Sequence, residues 1–263
     1  MFNWPQKAVE NLSLIFPHAT FYKPTDAAVV ALTIDDVPIP GESAPCSTRW
    51  ILDAIATHNQ SVSNPDENAR ATFFIIGSHL NQDFELLPDM VAQGHEVANH
   101  GFVDTWPALQ STAQFEAQFQ ATHQRLQQHL PAYPIRWYRP GRAFYTPPMW
   151  AVLKRASGYE ASFALASMLP LDTLARTAEP AFTAQYVAQH VFPGAILLLH
   201  GGSVARSQNT AAALRLILPQ LRSQGYRVTT LSDLWQLPTK VTTPHSFMAQ
   251  FKEIGRASCR ERV

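Results

Sequence analysis

The feature that most constrains the fold is an alternation. Short, almost wholly apolar runs trade places with longer amphipathic segments about seven times along the chain. Residues 28–34, 71–76, 95–98, 135–138, 159–165, 195–199 and 226–230 read as strands, and 48–58, 84–93, 111–129, 147–156, 180–190 and 209–224 as helices. Residues 231–235 read as a closing turn. Continuous apolar strands are buried on both faces, which requires a parallel sheet covered by helices. Such βαβ units join by right-handed crossovers. Seven of them predict a single-domain α/β barrel, with a doubly wound open sheet as the alternative.

A chain of 263 residues with 46% hydrophobic content suits one barrel with a large core. No linker divides it, with Pro38 to Ser47 and Ser61 to Asn68 reading as loops inside the domain. Lysine plus arginine equals aspartate plus glutamate at 20 each, so nothing points to nucleic acid or an anionic membrane. No apolar stretch is long enough to span a bilayer. Cys46 and Cys259 make neither a disulfide framework nor a zinc–thiolate site. The N-terminus lacks the pattern of a signal peptide, which predicts a cytoplasmic protein; an export signal further upstream would reverse that expectation. Residues 253–263 match the translation of a common sequencing-adapter read and are set aside from the fold reasoning.

The unusual polar clusters all stand just past the ends of expected strands: Asp35-Asp36, His100 with Asp104, Arg139, and His200. In a parallel barrel those ends converge on one face, so residues distant in sequence meet in one pocket. Adjacent carboxylates point in different directions and repel, which favours a bound cation or a raised pKa. A solvated Asp-Asp turn is the alternative. If 100–104 turns helically, His100 and Asp104 share a face and can grip one divalent ion. Otherwise His100 is a hydrogen-bonded loop residue and Asp104 a turn cap. His200, on a Gly201-Gly202 turn, is placed to donate a proton, or else is a core histidine. Arg139 can fix one carboxylate by ion pairing, and Asp172 can orient His200. His95 and Glu96 read as a buried, hydrogen-bonded structural pair. Trp106, Tyr138, Phe144 and Tyr145 stand near the expected mouth and either stack on sugar rings or pack on the rim.

Taken together, Thr33-Ile-Asp-Asp-Val-Pro38, Ala71-Thr-Phe-Phe-Ile-Ile-Gly77, Gly94-His-Glu-Val-Ala-Asn-His100, Tyr138-Arg-Pro-Gly141, Gly194-Ala-Ile-Leu-Leu-Leu-His200 and Gly225-Tyr-Arg-Val-Thr-Thr-Leu231 resemble the polysaccharide deacetylase superfamily (NodB-homology domain, carbohydrate esterase family four). The resemblance runs from about Ala28 to Leu234. It implies a distorted (β/α)7 barrel over 28–238, an N-terminal extension (1–27) and a C-terminal segment (239–252). It implies a metal-dependent hydrolase that removes an N-acetyl group from a chitin-type or peptidoglycan-type amino sugar. Asp35 resembles the general base, Asp36 and His100 metal ligands, Arg139 the residue that orients Asp35, His200 the general acid and Asp172 its partner. Leu198 resembles a wall for the acyl methyl, and a backbone N–H near Arg142 an oxyanion donor. Arg142, Trp106 and Tyr138 complete the expected substrate contacts.

One position departs from the common family pattern. Asp104 stands where most members have a second histidine, as in a chitin-deacetylase-like subgroup with His-x-x-x-Asp. The extra anion lowers Lewis acidity and hardens the site, so Mn2+, Fe2+ or Co2+ competes better with Zn2+, the expected ion. Two other readings stay open on the residues: an amidase on a small or lipid-linked, non-polymeric amide, and a catalytically inactive carbohydrate-binding barrel.

Overall fold

The structure, a computed structural model, describes residues 4–41, 47–80, 86–174 and 178–240. The expected C-terminal segment, apart from residues 239 and 240, and the adapter-like tail lie outside the described residues. So do the first two residues of the helix expected at 84–93 and most of the loop after Pro38.

Strand β2 (Val29–Val37) organises the sheet. Its two faces are sorted by sequence parity. Val30, Leu32 and Ile34 join the large core beneath the helices, whereas Val29 and Ala31 join a smaller cluster inside the barrel. The inward series Val29, Ala31, Thr33, Asp35 thus grows polar toward the strand's C-terminal end. Strand β2 pairs in parallel with β3 (Ala71–Ile75) on one side and β6 (Ile196–His200) on the other, and its first residues also pair with β7 (Arg227–Thr229). Strand β4 (Glu96–Asn99) extends the sheet beyond β3.

Closure depends on single bridges, which is what distorts the (β/α)7 barrel. Tyr138 bridges Asn99 of β4 to Phe163 of β5 (Phe163–Ala164), and Met168 bridges Leu197 of β6. The strand expected over 135–138 is therefore reduced to the Tyr138 bridge, and that expected over 159–165 to two residues. Pro134 and Pro140 flank the first of these segments and cannot donate to a ladder. The segment expected as an N-terminal extension is hydrogen-bonded into the structure. It forms α1 (Trp4–Ile15) and β1 (Ala19–Thr20), and β1 pairs in parallel with β5.

The remaining helices are α2 (Ser47–Gln60), α3 (Leu86–Ala92), α4 (Thr112–His129), α5 (Pro147–Arg155), α6 (Pro180–His190), α7 (Val204–Ser223) and α8 (Leu231–Gln236). Ser111 and Gln114 close a capping box on α4. Helix α7 starts five residues before the expected 209 because Ser203 caps it, its Oγ accepting from Arg206 N–H at 3.3 Å. No helix among the described residues is long and apolar enough to cross a membrane.

His95 and Glu96 are buried but bond to other partners rather than to each other. His95 Nδ1 accepts from Ala71 N–H, and burial together with nearby Arg70 brings its pKa down to about 4, so the ring is neutral. Glu96 sits at the end of the sheet opposite the polar clusters. It accepts from the Thr72 hydroxyl at 2.7 Å, the Ser232 N–H at 3.1 Å and the Ser232 hydroxyl, and so ties β4, β3 and α8 together. Removing it strands three buried or half-buried donors. Glu96→Ala is expected to destabilise the protein by about 3 kcal/mol, with Glu96→Gln milder, as read by urea unfolding; a loss below about 1 kcal/mol would contradict this role for the network.

Candidate active site

Five of the expected site residues are brought together by register. Asp35 on β2 is the direct neighbour of His200 on β6, so the two lie side by side at one level of the sheet. His100 follows β4 and its N–H bonds to Ile75 O of β3 at 2.9 Å. Arg139 follows the Tyr138 bridge, its N–H bonded to Asn99 O at 3.1 Å. Asp36 completes the group through a bulge. The β2–β3 register shifts between Ile34 and Val37, and Asp36 takes φ +66, a left-handed conformation that aspartate tolerates better than most residues. The bulge lets both adjacent carboxylates reach the pocket, Asp35 buried and Asp36 more exposed. Gly202 makes room for it, since a Cβ there would lie 2.7 Å from that of Asp36.

Arg139 is the hub. Its guanidinium is 2% exposed and makes four hydrogen bonds: to Asp35 Oδ1 at 2.6 Å, Thr33 Oγ1 at 2.9 Å, Ala164 O at 2.6 Å and Leu165 O at 3.1 Å. It also lies 4.1 Å from the Phe74 ring centroid. Its backbone carbonyl fixes His100, whose Nδ1 is 2.9 Å away. One residue thus orients both the buried carboxylate and the imidazole.

With Nδ1–H donated to Arg139 O, a neutral His100 presents the Nε2 lone pair to Asp36 Oδ1 at 3.3 Å and Asp35 Oδ2 at 3.6 Å. Three acceptors that face one another repel unless a proton or metal cation lies among them. Imidazole nitrogen and carboxylate oxygen are donors that zinc and related divalent ions accept, so these residues fit a metal. Burial pushes the His100 pKa down, but the charges of Asp35 and Asp36 more than offset it and the net shift is upward. Burial raises the Asp36 carboxyl, yet His100, His200 and Arg206 hold it at about 2.

The expected third ligand is paired with an arginine. Residues 100–104 form a bend, not a helical turn, with Gly101 at φ +84. Asp104 lines the same pocket, but both its oxygens contact Arg142 Nη2, at 2.9 and 3.1 Å. His100, Asp36 and Asp35 approach one another, but among the described residues no group of three His, Cys, Asp or Glu side chains is spaced, as it stands, to hold a metal ion. A carboxylate near two others gains more from a guanidinium than from joining them.

Beside Asp35, His200 is held twice by Asp172: Nδ1 lies 2.8 Å from Oδ1, and the backbone N–H donates to Oδ2 at 2.8 Å. This leaves Nε2 for the pocket. Burial lowers the His200 pKa, but Asp172, Asp35 and Asp36 outweigh it and the net shift is upward. The cavity measures about 360 Å³, with Leu169, Leu171 and Leu198 as its apolar wall.

Among the expected substrate contacts, Leu198 and Arg142 line this cavity. Trp106 is exposed and stacks on Phe144 with ring centroids 5.6 Å apart, but it is not among the residues that line the cavity. Tyr138 is a correction: it is 1% exposed, packed against Phe115, Phe119 and Phe163, and presents no face to a sugar. Its ring faces α4 and α5, on the side of the strand opposite to the Arg139 side chain that follows it. Tyr145 stacks on Phe163 and is half-buried. Arg206 was missed. It lines the pocket with Nη1 3.8 Å from Asp36 Oδ2, and the sequence signal was Ser203, whose cap places Arg206 on the first turn of α7.

The comparisons with known proteins agree with this fold. The polysaccharide deacetylase family model matches residues 22–161, just over half the chain. A peptidoglycan-N-acetylglucosamine deacetylase of Bacillus cereus is 28% identical over 217 residues, 82% of this chain and 92% of the relative. A chitooligosaccharide deacetylase of Sinorhizobium fredii is 29% identical over 220 residues, 79% of this chain and 92% of the relative. The solved structure of a family 4 acetyl xylan esterase from Clostridium thermocellum, in complex with a cobalt ion, aligns with a TM-score of 0.66 at 25% identity, covering 81% of this chain and 94% of that one. With motifs, barrel and family model in agreement, the chain belongs to the polysaccharide deacetylase family.

Proposed function

We propose that this protein is a metal-dependent hydrolase that removes the N-acetyl group from an amino sugar of chitin or peptidoglycan type. The observation that carries the reading is the pairing of Asp35, clamped by Arg139, with His200, clamped by Asp172, at one register level of adjacent strands. A base and an acid that line one cavity are what amide hydrolysis requires. The relatives named as peptidoglycan and chitooligosaccharide deacetylases support the substrate class.

Asp36 and His100 are the residues that would hold the ion, with Asp104 as the third candidate ligand. Zn2+ is the first expectation; the additional carboxylate keeps Mn2+, Fe2+ and Co2+ in contention. When bound, the ion supplies Lewis acidity toward the amide carbonyl. Asp35 removes a proton from the attacking water, since Arg139 fixes its Oδ1 and leaves Oδ2 toward the pocket. His200 delivers a proton from Nε2 to the departing amine. Leu198 receives the acyl methyl, and a backbone N–H near Arg142 steadies the oxyanion. The Trp106–Phe144 stack offers an aromatic face to a sugar ring.

Asp35→Asn keeps the shape and removes the base. Its acetate release from chito-oligosaccharides is expected to fall by about 10³-fold with the fold retained but the melting temperature lowered, because the buried Arg139 loses its partner charge; full activity in this variant would refute the assignment. The pH profile tests His200. Its raised pKa keeps the acid form to higher pH, so the rate should decline as pH rises through that value. Asp172→Asn removes the partner charge, so the alkaline limb should move to lower pH while kcat falls by about 10²-fold. An unmoved alkaline limb would show that Asp172 does not act through His200.

A further inference from the structure

We infer that the substrate carries an apolar group on its amine side, which lies in a groove built by the N-terminal helix beside the catalytic mouth. This rests on the deacylase reading above and narrows its substrate class. The groove measures about 200 Å³ and adjoins the catalytic cavity, because Ala143 lines both. One wall is Leu12 of α1 with Phe16 and Phe21; Phe144 and Tyr145 form the other. Its floor is Leu165, the residue whose carbonyl accepts from Arg139 Nη2 at 3.1 Å. The floor of the groove and the clamp on the catalytic carboxylate are therefore one piece of backbone.

The position of the groove follows from chain topology. Pairing of β1 with β5 brings α1 to this side of the barrel, and Phe16 packs edge-on against Tyr145 at 6.4 Å. Leu12 and Phe16 nonetheless remain about 40% exposed, at 40% and 42%. Among the described residues no charged or amide side chain lines the groove, and the Tyr145 hydroxyl is its one side-chain polar group. A sugar ring would lose hydrogen bonds to water there with little in return, whereas an alkyl chain would gain. The chain belongs to the amine half of the substrate, since the acyl methyl is assigned to Leu198, which is 7% exposed inside the barrel, while Ala143 lies at the open rim.

Calorimetric binding of methyl, butyl and hexyl glycosides of N-acetylglucosamine to the full chain tests this, with Asp35→Asn used to prevent turnover. Complete burial of each methylene tightens binding by roughly fourfold, and a half-open groove should retain enough of this for the hexyl compound to bind at least tenfold tighter than the methyl one. In Leu12→Gln and Phe16→Gln, made in the same background, the gain should vanish while the methyl glycoside binds as before. Equal affinity for all three glycosides overturns the inference, as does a gain that survives both substitutions. A dimer dissolved by Leu12→Gln, with no chain-length gain, would assign the groove to a second copy instead. Chain-length-dependent binding without hydrolysis of any of the three by wild type would leave the groove standing and count against the deacylase reading.

Discussion

The site depends on a guanidinium inside a barrel. Arg139 fills the space that the small inward residues Ala31 and Thr33 leave open, and there it meets Asp35. Neither charge is tolerable alone. Breaking a buried pair by removing one partner costs roughly 3–5 kcal/mol. The pair persists because Arg139 is otherwise satisfied by Thr33 and by two backbone carbonyls that are free at the poorly paired β5. The irregular closure of the barrel is thus connected to its chemistry: carbonyls spared from a regular ladder serve the arginine.

Charge balance then determines what the pocket can do. Asp35, Asp36, Asp104 and Asp172 face Arg139, Arg142, Arg206, His100 and His200. Each carboxylate has a cationic or imidazole partner, and the partners differ in commitment. Arg139 is buried and fixed, whereas Arg142 and Arg206 are half-exposed or exposed and contact their aspartates at the pocket edge. Asp35 is thus fixed by a buried arginine, whereas Asp36 and Asp104 meet theirs at partly exposed positions.

Much of this was legible in the sequence because it follows from periodicity. The apolar runs located β2, β3, β4 and β6, and polar residues just after them located Asp35, Asp36, His100, Arg139 and His200. What the sequence concealed depended on backbone detail. The bulge that gives Asp36 its left-handed φ leaves no apolar signature, and neither does the bend after His100 or the pairing of Asp104 with Arg142. Tyr138 read as a rim aromatic because its strand was expected to be longer; as a bridge residue it points into packing. The first turn of α7 was lost by starting the helix at its apolar residues rather than at the Ser203 cap, and Arg206 was lost with it. The contribution of α1 and β1 was hidden because a two-residue strand carries too little pattern to be recognised.

On the proposed mechanism, Asp36 and His100 hold a divalent ion on which N-deacetylation depends. The most direct measurement is acetate release from chito-oligosaccharides by protein stripped with a chelator and then supplied with Zn2+, Mn2+, Fe2+ or Co2+ singly. Activity should disappear on stripping and return with at least one of these ions, and His100→Ala should not recover it. Undiminished acetate release by the stripped protein would contradict the account.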